Sequence, residues 1–361
     1  MCIRDRYNRL KRPGEMRLLS YQAAAHGADA IQFFQIRRSI GACEKFHGAV
    51  IDHAGRDDTR VFLEVEQLGA ELEGLHGAFL EARTPSRVAI VFDWENWWAV
   101  EYSAGPSIRL KYLDAVRDFY SAAFAQNVPV DMIGPEDALA GYRVVIAPLL
   151  YMTKPGFDEA VRAFVRNGGI FITTYFSGIV DEHDLVLPGG YPGKLRDILG
   201  IWVEENDALM EGERNHFDYQ GRLYPAEVLC DLLHSEGAQA LGTYQEDFYR
   251  GMPALTRNSY GKGAAYYVAT RSDPAFYEAF LKDIFHMAGI RPVLDTPAGV
   301  EATLRRNGNG SFLFLLNHNA QEVLVELGRD GEELLSGEKL RAGACLKLEA
   351  RGVAIVRSET E

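Results

Sequence analysis

The sequence predicts an α/β protein that ends in a small antiparallel β-domain. Between residues 87 and 288, apolar runs of strand length alternate with helical segments, which indicates parallel strands covered by helices on both faces. Beyond residue 292 the helical pattern stops and short strand-like runs follow one another, as in antiparallel sheets. Residues 1–82 contain only a helix, an apolar run, a long loop and a helix, so they cannot close a sheet by themselves.

The first part of the chain contains one unusually long polar loop. Residues 15–26 form a predicted helix that Gly27 ends, and the apolar run at 29–36 has the length of a strand. Residues 37–58 are too long for a simple connection, and loops of that length in compact domains are usually functional. The predicted helix at 59–79 has one apolar face. That face consists of Val61, Val65, Leu68, Leu72 and Leu75.

The remaining predicted elements follow in order, with no element assigned between residues 176 and 262. The predicted strands of the middle region are 87–92, 128–133, 142–148, 169–175 and 263–269. Its predicted helices are 108–125, 156–167 and 274–288. The predicted strands of the last region are 300–305, 311–317, 322–327, 344–348 and 353–357. Asn307–Gly308 predicts a hairpin turn between the first two of these.

Composition excludes several classes of partner. The 361 residues suggest two or three domains, and 47% hydrophobic with 25% charged residues is ordinary for a globular protein. A formal net charge of −13 repels phosphate backbones, so nucleic acid is not an expected partner. No window approaches the roughly 20 unbroken apolar residues of a membrane helix, so no membrane association is expected.

The cysteines indicate a reducing compartment. Cys2, Cys43, Cys230 and Cys345 are far apart and form no CxxC pair, which argues against a zinc site and a disulfide framework. We therefore expect reduced thiols and a cytoplasmic location. The first six residues, MCIRDR, are followed by no apolar segment, so they are not a signal peptide. They resemble a translated sequencing adapter, and we expect them to be foreign to the protein.

Four segments of the chain follow a known family pattern in its order. They are YNRLKRPGEMRLLSYQAAAHGADAIQFFQIRRSIGACEKFHGAVIDHAG (7–55), VFDWENWWAVE (91–101), RNGGIFITTYFSGIVDEHDLVLPGGYPGKLRDILGIWVEE (166–205) and SYGKGAAYYVATR (259–271). Through them the chain resembles the family 42 β-galactosidases.

The resemblance implies three regions. Residues 1–82 would be the carboxyl-terminal end of a catalytic (β/α)8 barrel. Residues 86–290 would be a trimerisation domain with a class I glutamine amidotransferase-like, flavodoxin-like parallel sheet. Residues 296–359 would be a small β-sandwich-like domain. A homotrimer and no cofactor are also implied.

The resemblance further implies retaining hydrolysis of terminal β-D-galactosides. Such a reaction needs two carboxylates, one as acid and base and one as nucleophile. In the family both glutamates precede the segment that matches Tyr7–Asn8. We therefore expect this chain to lack them and to be inactive alone. The alternative is a non-catalytic oligomerisation or carbohydrate-binding module.

Glu44 and His47 are the candidate substrate-binding residues. They lie in the sequence EKFH, in the loop after the presumed eighth barrel strand, and barrel sites are built where strands end. A carboxylate can accept two hydroxyl bonds, and an imidazole can donate or accept one. Residue types alone would favour a surface Glu and a structural His. The matched segment implies instead that the pair holds galactose hydroxyls, with Arg37, Arg38 and Lys45 bracing the loop.

Trp94, Trp97 and Trp98 form the second candidate site. They directly follow a predicted strand, and three Trp within five residues cannot all be core. Because Trp is enriched at protein interfaces, we expect a subunit interface here. The same residues could complete the edge of a neighbouring active site.

Metal and phosphate sites are weakly supported. His47, Asp52 and His53 could be combined into a metal site, but their spacing is loose. Gly168–Gly169 and Gly261–Gly263 do not show the order of a phosphate-binding loop and are simpler as helix stops and turns.

The amidotransferase-like fold suggests a rival hydrolase. Such enzymes carry a nucleophilic Cys on a sharp turn between a strand and a helix, with a partner His. After the predicted strand 169–175 this chain has Phe176–Ser177–Gly178 instead. Ser177 and His183 could be drawn as a dyad, but no G-x-S-x-G turn is present, and Cys230 has no matching context. We therefore expect a domain without hydrolytic chemistry.

Overall fold

The computed structural model describes residues 9–103 and 105–359, which form two compact units. One unit combines the chain up to Pro85 with the chain from Val293 onward. The other is continuous from Ser86 to Pro292. The segment 1–6 and Cys2 lie outside the described residues. Among the described helices, none combines the length and the apolar character that crossing a membrane requires.

The described helices and strands are numbered in chain order. The helices are α1 (Glu15–Ala25), α2 (Arg60–Gly74), α3 (Trp94–Tyr102), α4 (Tyr112–Phe124), α5 (Phe157–Arg166), α6 (Arg196–Leu199) and α7 (Pro274–Ala288). The strands before residue 272 are β1 (Val88–Val91), β2 (Val130–Ile133), β3 (Val144–Ala147), β4 (Ile170–Thr174), β5 (Ile201–Ala208), β6 (Asn215–Tyr219), β7 (Arg222–Ser235), β8 (Gln239–Thr243), β9 (Pro253–Tyr260), β10 (Gly263–Val268) and β11 (Thr270–Arg271). The later strands are β12 (Val300–Asn307), β13 (Gly310–Asn317), β14 (Val323–Glu326), β15 (Gly331–Glu333), β16 (Lys339–Leu340), β17 (Cys345–Leu348) and β18 (Val353–Ser358).

The middle unit is built on a seven-stranded sheet in the order β2-β1-β3-β4-β10-β9-β8. The first five strands are parallel, as the alternation of strands and helices predicted. All residues of β1 and β3 are buried, because helices cover both faces of a parallel sheet. Antiparallel strands β9 and β8 extend one edge, and β11, β7, β5 and β6 form a second sheet. The strands β5 to β9 occupy the region that the sequence left unassigned.

The other unit joins the chain's two ends around shared cores. Its main sheet has the order β12-β13-β18-β15-β16, and β14 pairs with β17. One face of the sheet packs on residues of its own region, including Leu304 and Leu315. The opposite face, with Phe312 and Phe314, packs against α1, α2 and Phe79. The β-domain and the first two helices therefore bury one another.

The predicted strand at 29–36 is wrong. The segment is irregular, and Phe34 is 74% exposed. A barrel strand is stabilised by backbone hydrogen bonds to strands on both sides. Within the described residues this segment pairs only with residues 50–51, through three backbone hydrogen bonds.

The helix predicted at 59–79 is present but ends earlier, at Gly74. Thr59 caps its amino terminus by accepting a hydrogen bond from the Phe62 N–H. Leu68 and Leu75 on the predicted apolar face are buried, while Val61, Val65 and Leu72 are half-buried.

Candidate functional site

The loop that carries Glu44 and His47 is closed by a short ladder of backbone hydrogen bonds. The Ile51 N–H donates to the Ile36 carbonyl (2.7 Å), and the Val50 N–H donates to the Gln35 carbonyl (3.0 Å). The Arg38 N–H donates back to the Ile51 carbonyl (3.0 Å). These bonds hold the two stems together, so the residues between them form a defined excursion rather than an open tail.

Glu44 and His47 lie in one tight turn of this loop. Cys43–Phe46 forms a single 3-10 turn, and the His47 N–H donates to the Glu44 carbonyl (2.9 Å). Both side chains are half-buried. The structure thus brings the two predicted residues together, three positions apart on one short turn.

His47 lines a concave surface with a volume of about 720 Å³. Residues of α1, of the segment 30–38, of the loop and of α2 surround it, with Phe34, Phe46 and Val65 among its apolar walls. Glu44 is not among the lining residues, so its carboxylate stands beside this concavity rather than in its wall. The concavity has the size and mixed character of a small-molecule site.

Gln35 and Arg38 supply polar groups to the same wall. Among the described residues, Gln35 Nε2 and Arg38 Nε are buried nitrogens without a hydrogen-bond partner. The Gln35 Oε1 accepts a bond from the Ser39 hydroxyl (3.2 Å). Buried donors without partners are costly, and a ligand hydroxyl would satisfy them. Sequence reasoning passed over Gln35, whose signal was its position at the end of the apolar run.

The weak metal alternative finds no support in the loop. The Asp52 carboxylate accepts the Ala54 N–H (2.8 Å), and a ring nitrogen of His53 is 2.9 Å from the Ser39 carbonyl. In the described ranges, the group that brings three possible ligand atoms together is Asp181, Glu182 and His183. Asp181 there accepts backbone N–H groups of its own turn, and the cluster is largely exposed, so it is an ordinary surface turn.

The tryptophan segment is a helix that sequence reasoning missed. Asp93 caps α3 by accepting the Glu95 N–H (3.0 Å), and Asp followed by Glu was the available signal. Aromatic residues lower helix propensity and give α3 no clear apolar stripe. Trp97 is half-buried against the unit's core, and its ring N–H donates to Glu101 (2.8 Å).

Trp94 and Trp98 form an exposed aromatic surface on α3. They are 57% and 52% exposed, and their ring centres are 6.5 Å apart. Tyr102, one turn further along the helix, is 87% exposed. Exposed clusters of large aromatic side chains on a folded domain mark interaction surfaces.

The rival hydrolase lacks an accessible nucleophile. The chain turns sharply after β4, and Phe176 takes a positive φ of 57°, which is unusual for an aromatic residue. Ser177, the next residue, is fully buried, accepts the Leu150 N–H (3.0 Å) and lies 2.9 Å from the Thr173 hydroxyl. His183 is exposed, so Ser177 and His183 form no dyad.

A buried aspartate holds this turn. Asp231 accepts the Phe176 N–H (3.0 Å), the Tyr267 hydroxyl (2.6 Å) and the Asn206 side-chain amide (2.6 Å). Burial raises the pKa of Asp231 to about 6, although these three hydrogen bonds favour the charged form. Because an internal carboxylate occupies the turn's backbone donor, that donor cannot stabilise a substrate oxyanion.

Cys230 is not a reactive thiol. It is fully buried, next to the Thr270 hydroxyl, and burial raises its pKa to about 11. A thiol with a raised pKa is a poor nucleophile near neutral pH.

Comparison with known proteins identifies the family. Three sequence models match the chain in order: β-galactosidase (residues 2–75), β-galactosidase trimerisation domain (86–291) and β-galactosidase C-terminal domain (299–358). A β-galactosidase of Planococcus sp. strain SOS Orange is 53% identical over 357 residues, which cover 97% of this chain and 52% of that protein.

Solved structures show the same relation. The crystal structure of a β-galactosidase from Bacillus circulans sp. alkalophilus matches with a TM-score of 0.94 and 49% identity, over 98% of this chain and 53% of that one. The GH42 β-galactosidase Gan42B matches with a TM-score of 0.94 and 36% identity, over 99% of this chain and 52% of its own. The chain spans about half the length of these relatives. With its matched regions in the family's order and its fold preserved, the chain belongs to the family 42 β-galactosidases.

Proposed function

We propose that this chain serves as the carboxyl-terminal half of a retaining β-galactosidase that hydrolyses terminal β-D-galactosides. The observation that carries the proposal is the closed loop in which Glu44 and His47 share one turn beside a concave surface with unpartnered donors. A carboxylate and an imidazole held on one turn can bind two or three neighbouring sugar hydroxyls. The two catalytic glutamates would come from the part of the enzyme that precedes Tyr7.

The proposed division of labour follows three regions. Residues 1–82 would complete the catalytic barrel, residues 86–290 would assemble the subunits, and residues 296–359 would form the β-domain. The exposed apolar side chains of the first region support this proposal, with Ile36 72% and Ile40 95% exposed. Such surfaces are unusual for an independent module and fit a segment whose other face is covered by more barrel.

A carbohydrate-binding module is the less favoured function. Proteins bind sugar faces with exposed aromatic side chains. In residues 296–359 the aromatic residues are Phe312 and Phe314, and both are fully buried. The exposed Cys345 thiol supports placing the protein in the cytoplasm, where thiols stay reduced.

We expect the chain alone to hydrolyse no p-nitrophenyl β-galactoside above a buffer blank. Joining the amino-terminal half of the Planococcus relative in register to residues 7–361 gives a full-length protein, which we call the fusion enzyme. It is expected to hydrolyse this substrate, because it contains both catalytic carboxylates. The amino-terminal half alone is the control. Turnover by the chain alone, or a folded but inactive fusion enzyme, would refute the proposal.

We further propose that the enzyme is a homotrimer and that α3 lies in the subunit interface. Trp94→Ser and Trp98→Ser are each expected to weaken self-association by on the order of 30-fold, because buried Trp side chains dominate interface energies. Analytical ultracentrifugation of the chain measures this. Phe248→Ser, which removes another exposed aromatic ring from a different loop, is the control. Unchanged association in both Trp variants would remove α3 from the interface.

A further inference from the structure

One face of β12 is a buried polar stripe. Glu301, Thr303 and Arg305 alternate along the strand and therefore point to the same side of the sheet. Ala302 and Leu304, between them, belong to the core of the β-domain on the other side. Glu301 and Arg305 are 3% and 1% exposed, so their charges must be satisfied by other parts of the protein. We call these three residues the β12 stripe.

The β12 stripe binds the carboxyl-terminal end of α1. Glu301 accepts the Gln22 side-chain amide (2.9 Å) and is 2.6 Å from a ring nitrogen of His26. The Thr303 hydroxyl donates to the Ala25 carbonyl (3.3 Å). These contacts secure the last turn of the helix from a strand that lies far away in the sequence.

Arg305 completes this cap with charge. Its Nη1 donates to the carbonyls of Ala24 (2.7 Å) and Ala28 (3.2 Å). The last turn of α1 has no basic residue of its own, although the carbonyls at a helix end carry partial negative charge. Arg305 therefore supplies the cation that the helix sequence lacks.

The same guanidinium holds a second point of the chain. Its Nε and Nη2 donate to the Ala82 carbonyl (3.1 and 2.9 Å), and Nη2 also donates to the Asp29 carboxylate (2.8 Å). The Arg305 side chain lies over the Phe79 ring at 5.5 Å. One side chain thus fixes residue 29 and residue 82, the two ends of the segment that contains the Glu44–His47 loop.

Neighbouring residues of β12 reinforce the second anchor. Arg83 and Arg306 exchange two backbone hydrogen bonds of 2.8 Å each. The Asn307 side-chain amide donates to the carbonyls of Ala78 and Leu80 (3.1 Å each). The return of the chain after α2 is therefore attached to the β-domain over several residues.

We infer that Arg305 is a positioning residue for sugar binding, which makes the β-domain part of the machinery that sets substrate affinity. This inference rests on the proposed function. Binding groups must be held to within about 0.5 Å of their productive places. By clamping both ends of the segment 29–82, Arg305 fixes the frame from which the Glu44–His47 loop extends.

In the fusion enzyme, Arg305→Met is expected to lower kcat/KM for p-nitrophenyl β-galactoside about tenfold, mainly by raising KM. Arg357→Met is the matched control, because Arg357 lies in the same sheet and pairs with Glu332 inside the β-domain. It is expected to remain within about twofold of the parent. Arg305→Lys is expected to fall between them, because one ammonium cannot reach both anchors. Parent-like KM in a folded Arg305→Met enzyme would overturn the inference.

A double-mutant cycle separates positioning from general destabilisation. If Arg305 acts through the loop, Arg305→Met should cost little further KM once Glu44→Ala is present. Fully additive effects would contradict the inference.

Hydrogen exchange on the chain alone gives a test that does not depend on activity. Arg305→Met, or Arg305→Lys if Met prevents folding, should speed exchange of the Val50 and Ile51 amides, and Arg357→Met should not. If the parent fusion enzyme is inactive but this exchange difference is present, the proposed function fails while the positioning of the loop stands. Equal exchange in all variants would overturn the positioning.

Discussion

Replacing Glu44 by alanine in the fusion enzyme is expected to lower kcat/KM for aryl β-galactosides by about 100-fold, and His47→Ala by about tenfold. A hydrogen bond to a charged group is worth about 1.5–3 kcal/mol, and a neutral one about 1 kcal/mol. A carboxylate that accepts two sugar hydroxyls should therefore contribute more than an imidazole that binds one. Steady-state kinetics with p-nitrophenyl β-galactoside measures both effects.

Substrate discrimination makes this test specific for hydroxyl recognition. Galactosides and glucosides differ in the orientation of one hydroxyl, and a site that binds that hydroxyl rejects the epimer. Glu44→Ala should therefore lose more activity on the galactoside than on the matching glucoside. Glu66→Ala, which removes an exposed carboxylate from α2, is the control. Parent-like kinetics in both Glu44→Ala and His47→Ala would remove the sugar-contact assignment.

The unit that contains α1 and the β-domain is expected to lose stability steeply in acid, and Glu301→Gln is expected to abolish much of that loss. Burial alone would raise the pKa of Glu301, but hydrogen bonds from His26, His318 and Gln22 outweigh it and hold the pKa at about 2. The unfolded carboxyl has a pKa near 4.5. A depressed pKa stabilises the folded state above the unfolded value and ceases to do so as pH falls toward the folded value.

The expected window is therefore pH 4.5 down to about 2, with a loss of roughly 3 kcal/mol. All four Trp residues lie between Ser86 and Pro292, so Trp fluorescence follows the other unit and serves as an internal reference. Hydrogen exchange of the β12 and β13 amides follows the unit of interest. Glu322→Gln, at an exposed ion pair with Lys347, is the matched control. Equal acid sensitivity of Glu301→Gln and the parent would refute the assignment.

Local sequence pattern was sufficient for the regular elements. The runs VAIV and VVIA became buried parallel strands, and the predicted helix at 274–288 has the same bounds as α7. These elements depend on the spacing of apolar residues and on caps within a few positions, such as Asp273 before α7. Where such patterns were weak, as in the aromatic-rich α3 and the polar strand β6, the elements were missed.

Tertiary structure decided whatever depends on distant partners. The apolar run at 29–36 has the composition of a strand, but a strand forms only where neighbouring backbones accept its hydrogen bonds. Likewise Asp231 stands in an apolar stretch, and only its partners from β5, β10 and the turn after β4 explain why a carboxyl is tolerated there.

The sequence by itself determined the family, the loop with Glu44 and His47, and the order of most helices and strands. It could not show that Glu301 and Arg305 are buried, since polar residues alternating along a strand usually face water. Arg305 is satisfied by carbonyls more than 220 residues earlier in the chain. The free energy of a buried charge depends on such partners, and only folding brings them together.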